Sequence, residues 1–322
     1  MLTAKIAQLV LASSRLRLID WRGAEHEAGP PEAPLAGVMA IKTQAADRRI
    51  AHNPQIALGD AYMEGDLEVV EGDLVDVITA LLRDVNAGHA PRNMKWRGKI
   101  LFLLRALHQL NSPHLARRRI AHHYDLDHAF YRLWLDPESH YSCAFYATPD
   151  TTLEEAQTEK ARRIAAKLML RRGDRVLDIG CGWGAMSRYL ARNFDVRVVG
   201  ISLSREQLAV AERRAAEEGL SDRLTYQYAD YREHESRYER IVSIGMLEHV
   251  GAPHLPEYFR IVGRNLTEDG VALIHTIGRV GPPAATNSWI RKYIFPGGYI
   301  PSLSEVASAV EEEALLVAAG AA

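Results

Sequence analysis

The chain has 322 residues, 47% of them hydrophobic and 25% charged, the composition of a folded globular protein rather than a disordered or collagen-like one. Its formal net charge of −2 argues against a wholly basic nucleic-acid binder, and its two cysteines, Cys143 and Cys181, cannot supply a disulfide framework or a cysteine-rich zinc site. No apolar run approaches the roughly 20 residues that a membrane span needs, and the length allows about two domains. At the N-terminus, Lys5, the apolar residues 6–12, Arg15 and Arg17 lack a signal-peptide core and cleavage site, so this segment reads as the first helix of a cytoplasmic protein. The Gly-Pro-Pro-Glu-Ala-Pro run at 29–34 is a rigid loop. Residues 37–42 read as a strand, and 65–73 as a turn, a short strand and a second turn. Residues 74–85 carry apolar side chains at helical spacing. No long apolar/polar alternation is evident, and residues 1–90 form a small α+β domain.

Residues 91–123 differ in kind. They hold Arg92, Lys95, Arg97, Lys99, Arg105, Arg117, Arg118 and Arg119 with no acid, and enclose the apolar stretch 100–110. Two readings fit this stretch. It is a helix lying on an anionic phospholipid surface, or an interdomain helix with a solvated charged face. Beyond residue 124, strand-like runs (175–179, 196–201, 224–228, 240–244, 270–277) alternate with helical ones (184–193, 204–218, 254–266), the pattern of a doubly wound α/β sheet.

The strand 175–179 runs into Gly180-Cys-Gly182-Trp-Gly184, with Asp178 before it and a helix after it. Glycines permit a tight turn and close ligand approach, and a helix N-terminus offers free N–H groups. The G-x-G-x-G spacing resembles motif I of class I S-adenosylmethionine (SAM) methyltransferases, whose loop curves around the cofactor. The next strand ends without an acid. Ser202 and Gln207 offer hydroxyl and amide hydrogen bonds there, and Ser204 suits a helix N-cap. After the third strand, Asp230 beside Tyr231 can bind an adenine amino group and stack on its ring.

Several segments in order then resemble the cyclopropane-fatty-acyl-phospholipid synthases and the related mycolic acid cyclopropane synthases. They are His123-Tyr-Asp125 with Phe130-Tyr131, Tyr141-Ser-Cys143, Leu153-Glu-Glu-Ala-Gln157 with Lys160, the glycine loop, 202–207, 240–251, Ile274-His275-Thr-Ile277, and 294–301. Residues 58–65 are similar to the phospholipid-acting branch of the family, which carries an extra N-terminal domain.

The resemblance implies a Rossmann-like class I SAM-methyltransferase domain over 123–322, preceded by a lipid-side domain (1–90) and a basic linker (91–122). It implies that Tyr141, Ser142 and Leu203 join Asp178, Gly180, Gly182, Gly184, Ser202, Gln207, Asp230 and Tyr231 at the cofactor. The implied reaction adds a SAM-derived methylene to the cis double bond of an unsaturated phospholipid acyl chain. The implied proton acceptor is a bound bicarbonate held by Cys143 (through its backbone), Glu248, His275 and the backbone N–H of Ile277. No metal and no nucleic acid is expected. The partner is the phospholipid bilayer, met peripherally on the inner face of the membrane, with a homodimer among the arrangements the family allows.

The family's further tyrosine, on a helix after the Pro-Gly-Gly segment, has no counterpart here. Residues 310–322 read as helix-like and featureless, and the domain is expected to lack the family's C-terminal helices. Two alternatives stand beside cyclopropane formation: a fatty-acid C-methyltransferase without ring closure, and a non-catalytic SAM- or lipid-binding remnant.

Overall fold

A computed structural model describes residues 1–89, 96, 98, 100, 102–104, 109, 128–313 and 315–317. The basic stretch 91–122, apart from a few single positions, and the His122-His123-Tyr-Asp125 cluster lie outside the described residues. The chain divides into two compact units, Met1–Arg105 with Ala285–Ile294, and Ala106–Ala284 with Phe295–Ala322. Among the described residues no helix is long and apolar enough to cross a membrane.

The first unit runs α1 (Leu2–Val10), β1 (Arg15–Ile19), β2 (Glu25–Ala28), β3 (Leu35–Ile41), α2 (Gln44–His52), α3 (Pro54–Met63), β4 (Leu67–Glu71) and α4 (Leu74–Asp84). Its sheet has the order β2-β1-β3-β4, with β1 and β3 parallel and the outer pairs antiparallel. Local chemistry sets the ends of the helices. Thr43 caps α2 by accepting the Ala46 N–H, and Asp73 caps α4 by accepting that of Val75. The Asp47 carboxylate accepts the N–H groups of Leu2 and Thr3, placing negative charge at the start of α1. The core joins Leu16, Leu18, Met39, Ile41 and Leu67 of the sheet to Ala7, Ile50 and Val77 of the helices. Each fully buried aliphatic side chain contributes roughly 1.5–3 kcal/mol. Trp289 packs against Gly59, and Lys292 pairs with Asp60 at 3.1 Å, which is how Ala285–Ile294 joins this unit.

Three features of this unit depart from the sequence reading. β1 does alternate, with Leu16 and Leu18 inward and its arginines outward, but over only five residues. β2 shows a single buried residue, Ala28, and so carries almost no hydrophobic signal. α2 and α3, with few large apolar side chains, left no periodic trace of the kind that revealed α4.

The second unit contains α5 (Leu153–Leu168), β5 (Arg175–Ile179), α6 (Ala185–Asn193), β6 (Arg197–Ser202), α7 (Arg205–Glu217), β7 (Leu224–Tyr228), β8 (Tyr238–Ile244), α8 (Leu255–Asn265), β9 (Leu266–His275) and α9 (Leu303–Glu312). Its five strands are all parallel in the order β7-β6-β5-β8-β9. The expected doubly wound α/β architecture is therefore present, and strand order reverses beside β5. In such sheets ligands bind outside the carboxyl ends of the strands at that reversal. β8 and β9 begin two and four residues earlier than expected. α8 passes into β9 with no intervening loop, because Leu266 already has extended backbone. The tail also differs. α9 starts on a Ser302–Glu305 capping box and ends at Glu312. Beyond it Leu315 leaves the helix and packs against Gly263 and the core beside α8.

Candidate active site

The carboxyl ends of β5, β6 and β8 surround a cavity of about 170 Å³. Residues 139–142, 178–183, 201–203 and 229–232, together with Gln207 and Met246, form its walls. Ten of the expected cofactor residues meet there: Tyr141, Ser142, Asp178, Gly180, Gly182, Ser202, Leu203, Gln207, Asp230 and Tyr231. The glycine loop shows why those positions lack side chains. Gly180 has φ +78°, and a Cβ on it would sit 2.9 Å from the Met246 side chain.

Gly184 is the exception among the expected cofactor residues. It lies outside the lining, and a Cβ there would meet the Tyr226 hydroxyl at 2.4 Å and Ala211 at 2.9 Å. Its small size serves the packing of α6 against α7 and β7, not approach to a ligand.

Each polar wall residue has a partner that sets its state. Asp178 is fully buried, accepts a 2.6 Å hydrogen bond from the Ser187 hydroxyl, and is pushed up to about 6 by burial. Ser204 caps α7 by accepting the Gln207 N–H, so the N-cap reading of that serine holds. The Ser202 hydroxyl lies 3.4 Å from Gln207 Oε1 and accepts the Ser204 N–H. Asp230 accepts two hydrogen bonds from the Arg232 guanidinium, at 2.9 and 2.7 Å, so its carboxylate reaches the cavity already charge-paired. Tyr231 packs edge-on against the buried Tyr258.

Sequence reasoning missed three contributors. Trp183, His140 and His249 also line the cavity. Trp183 and His249 sit within the quoted motifs, so adjacency was the available signal. Arg188, 0% exposed, donates to Glu138 at 2.6 Å, to Glu218 at 2.9 Å and to the Trp183 carbonyl at 2.8 Å, tying the glycine loop to the 136–142 segment.

The expected catalytic group lies beside this cavity and not in its lining. Glu248 occupies a short 3₁₀ turn (Leu247–His249) between Met246 and His249, both of which face the cavity. It is 5% exposed. Its Oε1 accepts the Ile277 N–H at 2.6 Å, while Oε2 is buried with no hydrogen-bond partner among the described residues. Burial pushes this carboxyl above its ordinary range. His275 ends β9. Its carbonyl accepts the Gly245 N–H, and its buried Nδ1 has no partner among the described residues. Burial, then the nearby Lys160 ammonium, lowers the imidazole. Cys143 is exposed and follows Ser142, whose hydroxyl accepts from Lys160 at 2.8 Å.

A cavity at the strand-order reversal, beside a buried carboxyl and an uncharged imidazole, can hold a nucleoside cofactor next to an acid–base pair. The comparisons with known proteins specify which. Residues 111–321 match the mycolic acid cyclopropane synthetase family. The chain belongs to that family. A probable fatty acid methyltransferase of Pseudomonas putida is 34% identical over 94% of this chain and 75% of its own length. The cyclopropane-fatty-acyl-phospholipid synthase of Escherichia coli (strain K12) is 39% identical over 82% of this chain and 67% of its own. The crystal structure of mycolic acid cyclopropane synthase CmaA1 complexed with SAH and CTAB superposes with a TM-score of 0.60 at 33% identity, covering 66% of this chain and 78% of that one. Fold and family together place the chain among the class I SAM-dependent methyltransferases. Residues 11–89 match a family described as a domain of unknown function (DUF7884).

Proposed function

We propose that this protein transfers a methylene from SAM to the cis double bond of an unsaturated phospholipid acyl chain, forming a cyclopropane. The observation that carries this reading is the buried Glu248–Ile277 pair with His275, set directly beside the cavity at the strand-order reversal in a chain of this family. In the reaction, the alkene π electrons attack the sulfonium methyl. A carbon–carbon bond forms, the carbon–sulfur bond breaks, and S-adenosylhomocysteine leaves uncharged. The second alkene carbon becomes cationic, a proton leaves the new methyl, and that C–H pair closes the ring. The step needs alignment of a weak nucleophile with the methyl and a water-poor acceptor region. The 5% exposure of Glu248 supports the second requirement.

Bicarbonate as proton acceptor fits part of its expected cradle. Glu248 Oε2 and His275 Nδ1 are buried polar atoms with no partner among the described residues, and they suit an oxyanion that shares protons. The Ile277 N–H fits less well, because it already donates to Glu248. Bound bicarbonate would supply a base of moderate strength next to the cation; Glu248 and His275 would hold it and exchange its proton. The lipid is met at a membrane surface, which the basic residues 91–122 would approach from the cytoplasmic side. A second reading, methylation without ring closure, is favoured by the fatty acid methyltransferase of P. putida that matches nearly the whole chain.

Lipid mass spectrometry after expression in a host lacking its own synthase separates the outcomes. A gain of one CH₂ with loss of the double bond is expected. The same gain with the alkene retained means methylation, and unchanged lipids from folded protein overturn both.

A further inference from the structure

Lys160 is a buried charge that the chemistry above does not use. It is 4% exposed; among the described residues its one hydrogen bond goes to the Ser142 hydroxyl at 2.8 Å, and no carboxylate lies within ion-pair distance of it. Taking an ammonium out of water without a counter-ion is costly, so a buried lysine of this kind persists where its position does something. One turn earlier on the same face of α5, Gln157 donates to the Ser142 carbonyl at 3.0 Å. Two side chains of one helix therefore grip a single residue, one at its hydroxyl and one at its backbone. That residue stands between Tyr141, which lines the cofactor cavity, and Cys143. It also abuts the other wall: a Cβ placed on Gly245 would lie 3.7 Å from the Ser142 Cβ, and the Gly245 N–H donates to the His275 carbonyl at 2.9 Å.

We propose that Lys160 is a positioning residue of the transfer site, a buried ammonium that fixes the Ser142 hydroxyl, and with it residues 141–143, while opposing a second positive charge on His275. The titratable groups that face Lys160 are Asp136 and His140, Cys143, and His275 at the end of β9. Asp136, hydrogen-bonded to His140 at 3.0 Å, offsets part of the Lys160 charge without reaching ion-pair distance. Lys167, on the same helix, adds to the positive field at His275. Burial draws Lys160 itself down to about 8, so it stays largely protonated at neutral pH. An imidazole held uncharged is a proton acceptor; an imidazolium is not. The proposal gives a role to a residue of the site read above as a methyl-transfer centre, yet its decisive measurement does not need that reaction.

The test is the NMR titration of His275 in the full-length protein without SAM or lipid, its ring signal identified by loss in His275→Gln. In Lys160→Gln, which keeps a donor for Ser142 and removes the charge, the His275 titration is expected to move to higher pH. In Lys160→Arg it stays with the wild type. An identical His275 titration in wild type and Lys160→Gln overturns the proposal, whatever the enzyme does to lipids. If Lys160→Gln does not fold, Ser142→Ala takes its place. Releasing the ammonium from its anchor is then expected to displace the His275 titration, and an unmoved one overturns the idea. Where turnover is measurable, the acid limb of kcat in Lys160→Gln shifts with the imidazole, and the rate at pH 7 falls roughly tenfold; a limb that stays fixed counts against the proposal. Inactive wild-type protein with a shifted His275 signal would retain Lys160's role and reject the lipid reading alone.

Discussion

At Asp178 the carboxyl is held near pH 6 by burial, where an unfolded chain titrates near 3.8. The folded state therefore binds the extra proton in between, and stability falls as pH rises through that window, by roughly 3 kcal/mol in all. Asp178→Asn keeps an acceptor for Ser187 and removes the titration. Its thermal unfolding is expected to lose this pH dependence and to exceed the wild type at pH 8; a wild-type profile unchanged between pH 4 and 7 would contradict the assignment. Glu248→Gln is the matching change on the acceptor side. Glutamine can still accept the Ile277 N–H, so the turn should persist while alkyl transfer drops by about 100-fold or more. Equal turnover in that variant would remove Glu248 from the chemistry. Motif spacing pointed to Asp178 and the family resemblance to Glu248, but their environments were hidden. Arg232 stands only two residues from Asp230, so that pairing was within local reach, whereas nothing local to Ile277 foretold that its N–H would turn toward Glu248. The latter is a contact made by the fold.

Among the elements, legibility followed how much hydrophobic pattern each carries. β5 matched the expected bounds because its apolar run stops at Gly180, and β7 because Leu, Thr and two Tyr favour a strand although only Leu224 is buried. β2, Glu-His-Glu-Ala, carries neither signal and could not be read at all. The glycine loop is the instructive mixture. One pattern, G-x-G-x-G, serves two purposes: Gly180 and Gly182 shape the cavity, whereas Gly184 lets α6 lie close to Tyr226 and Ala211. A side chain at position 184 also faces φ +76°. Gly184→Ala is therefore expected to cost roughly 2–4 kcal/mol of stability, through crowding and backbone strain together. Urea unfolding measures it, and a loss under about 0.5 kcal/mol would show that Tyr226 moves aside freely.

Taken as a whole molecule, the chain carries a methyltransferase-family region and a basic sequence segment with no acidic residue between positions 91 and 123. Binding to anionic phospholipid vesicles is expected to weaken with added salt and again when Arg117, Arg118 and Arg119 become serine, by about 1 kcal/mol per charge removed. Equal binding to neutral vesicles would contradict an electrostatic approach. Whole-molecule cohesion at the cofactor end has a further source in Arg188. Its guanidinium holds Glu138, the neighbour of the cavity residue Ser139, and the Trp183 carbonyl of the glycine loop, with no exposure to solvent. As acid titrates Glu138, whose carboxyl the Arg188 and Arg192 pairs keep below its usual range against the cost of burial, one of the ties between the glycine loop and residues 136–142 is expected to weaken. The grip on any ligand of this cavity is then tied to the ionisation of a residue outside its lining: affinity is expected to fall as acid protonates Glu138, and ligand titrations across pH check it.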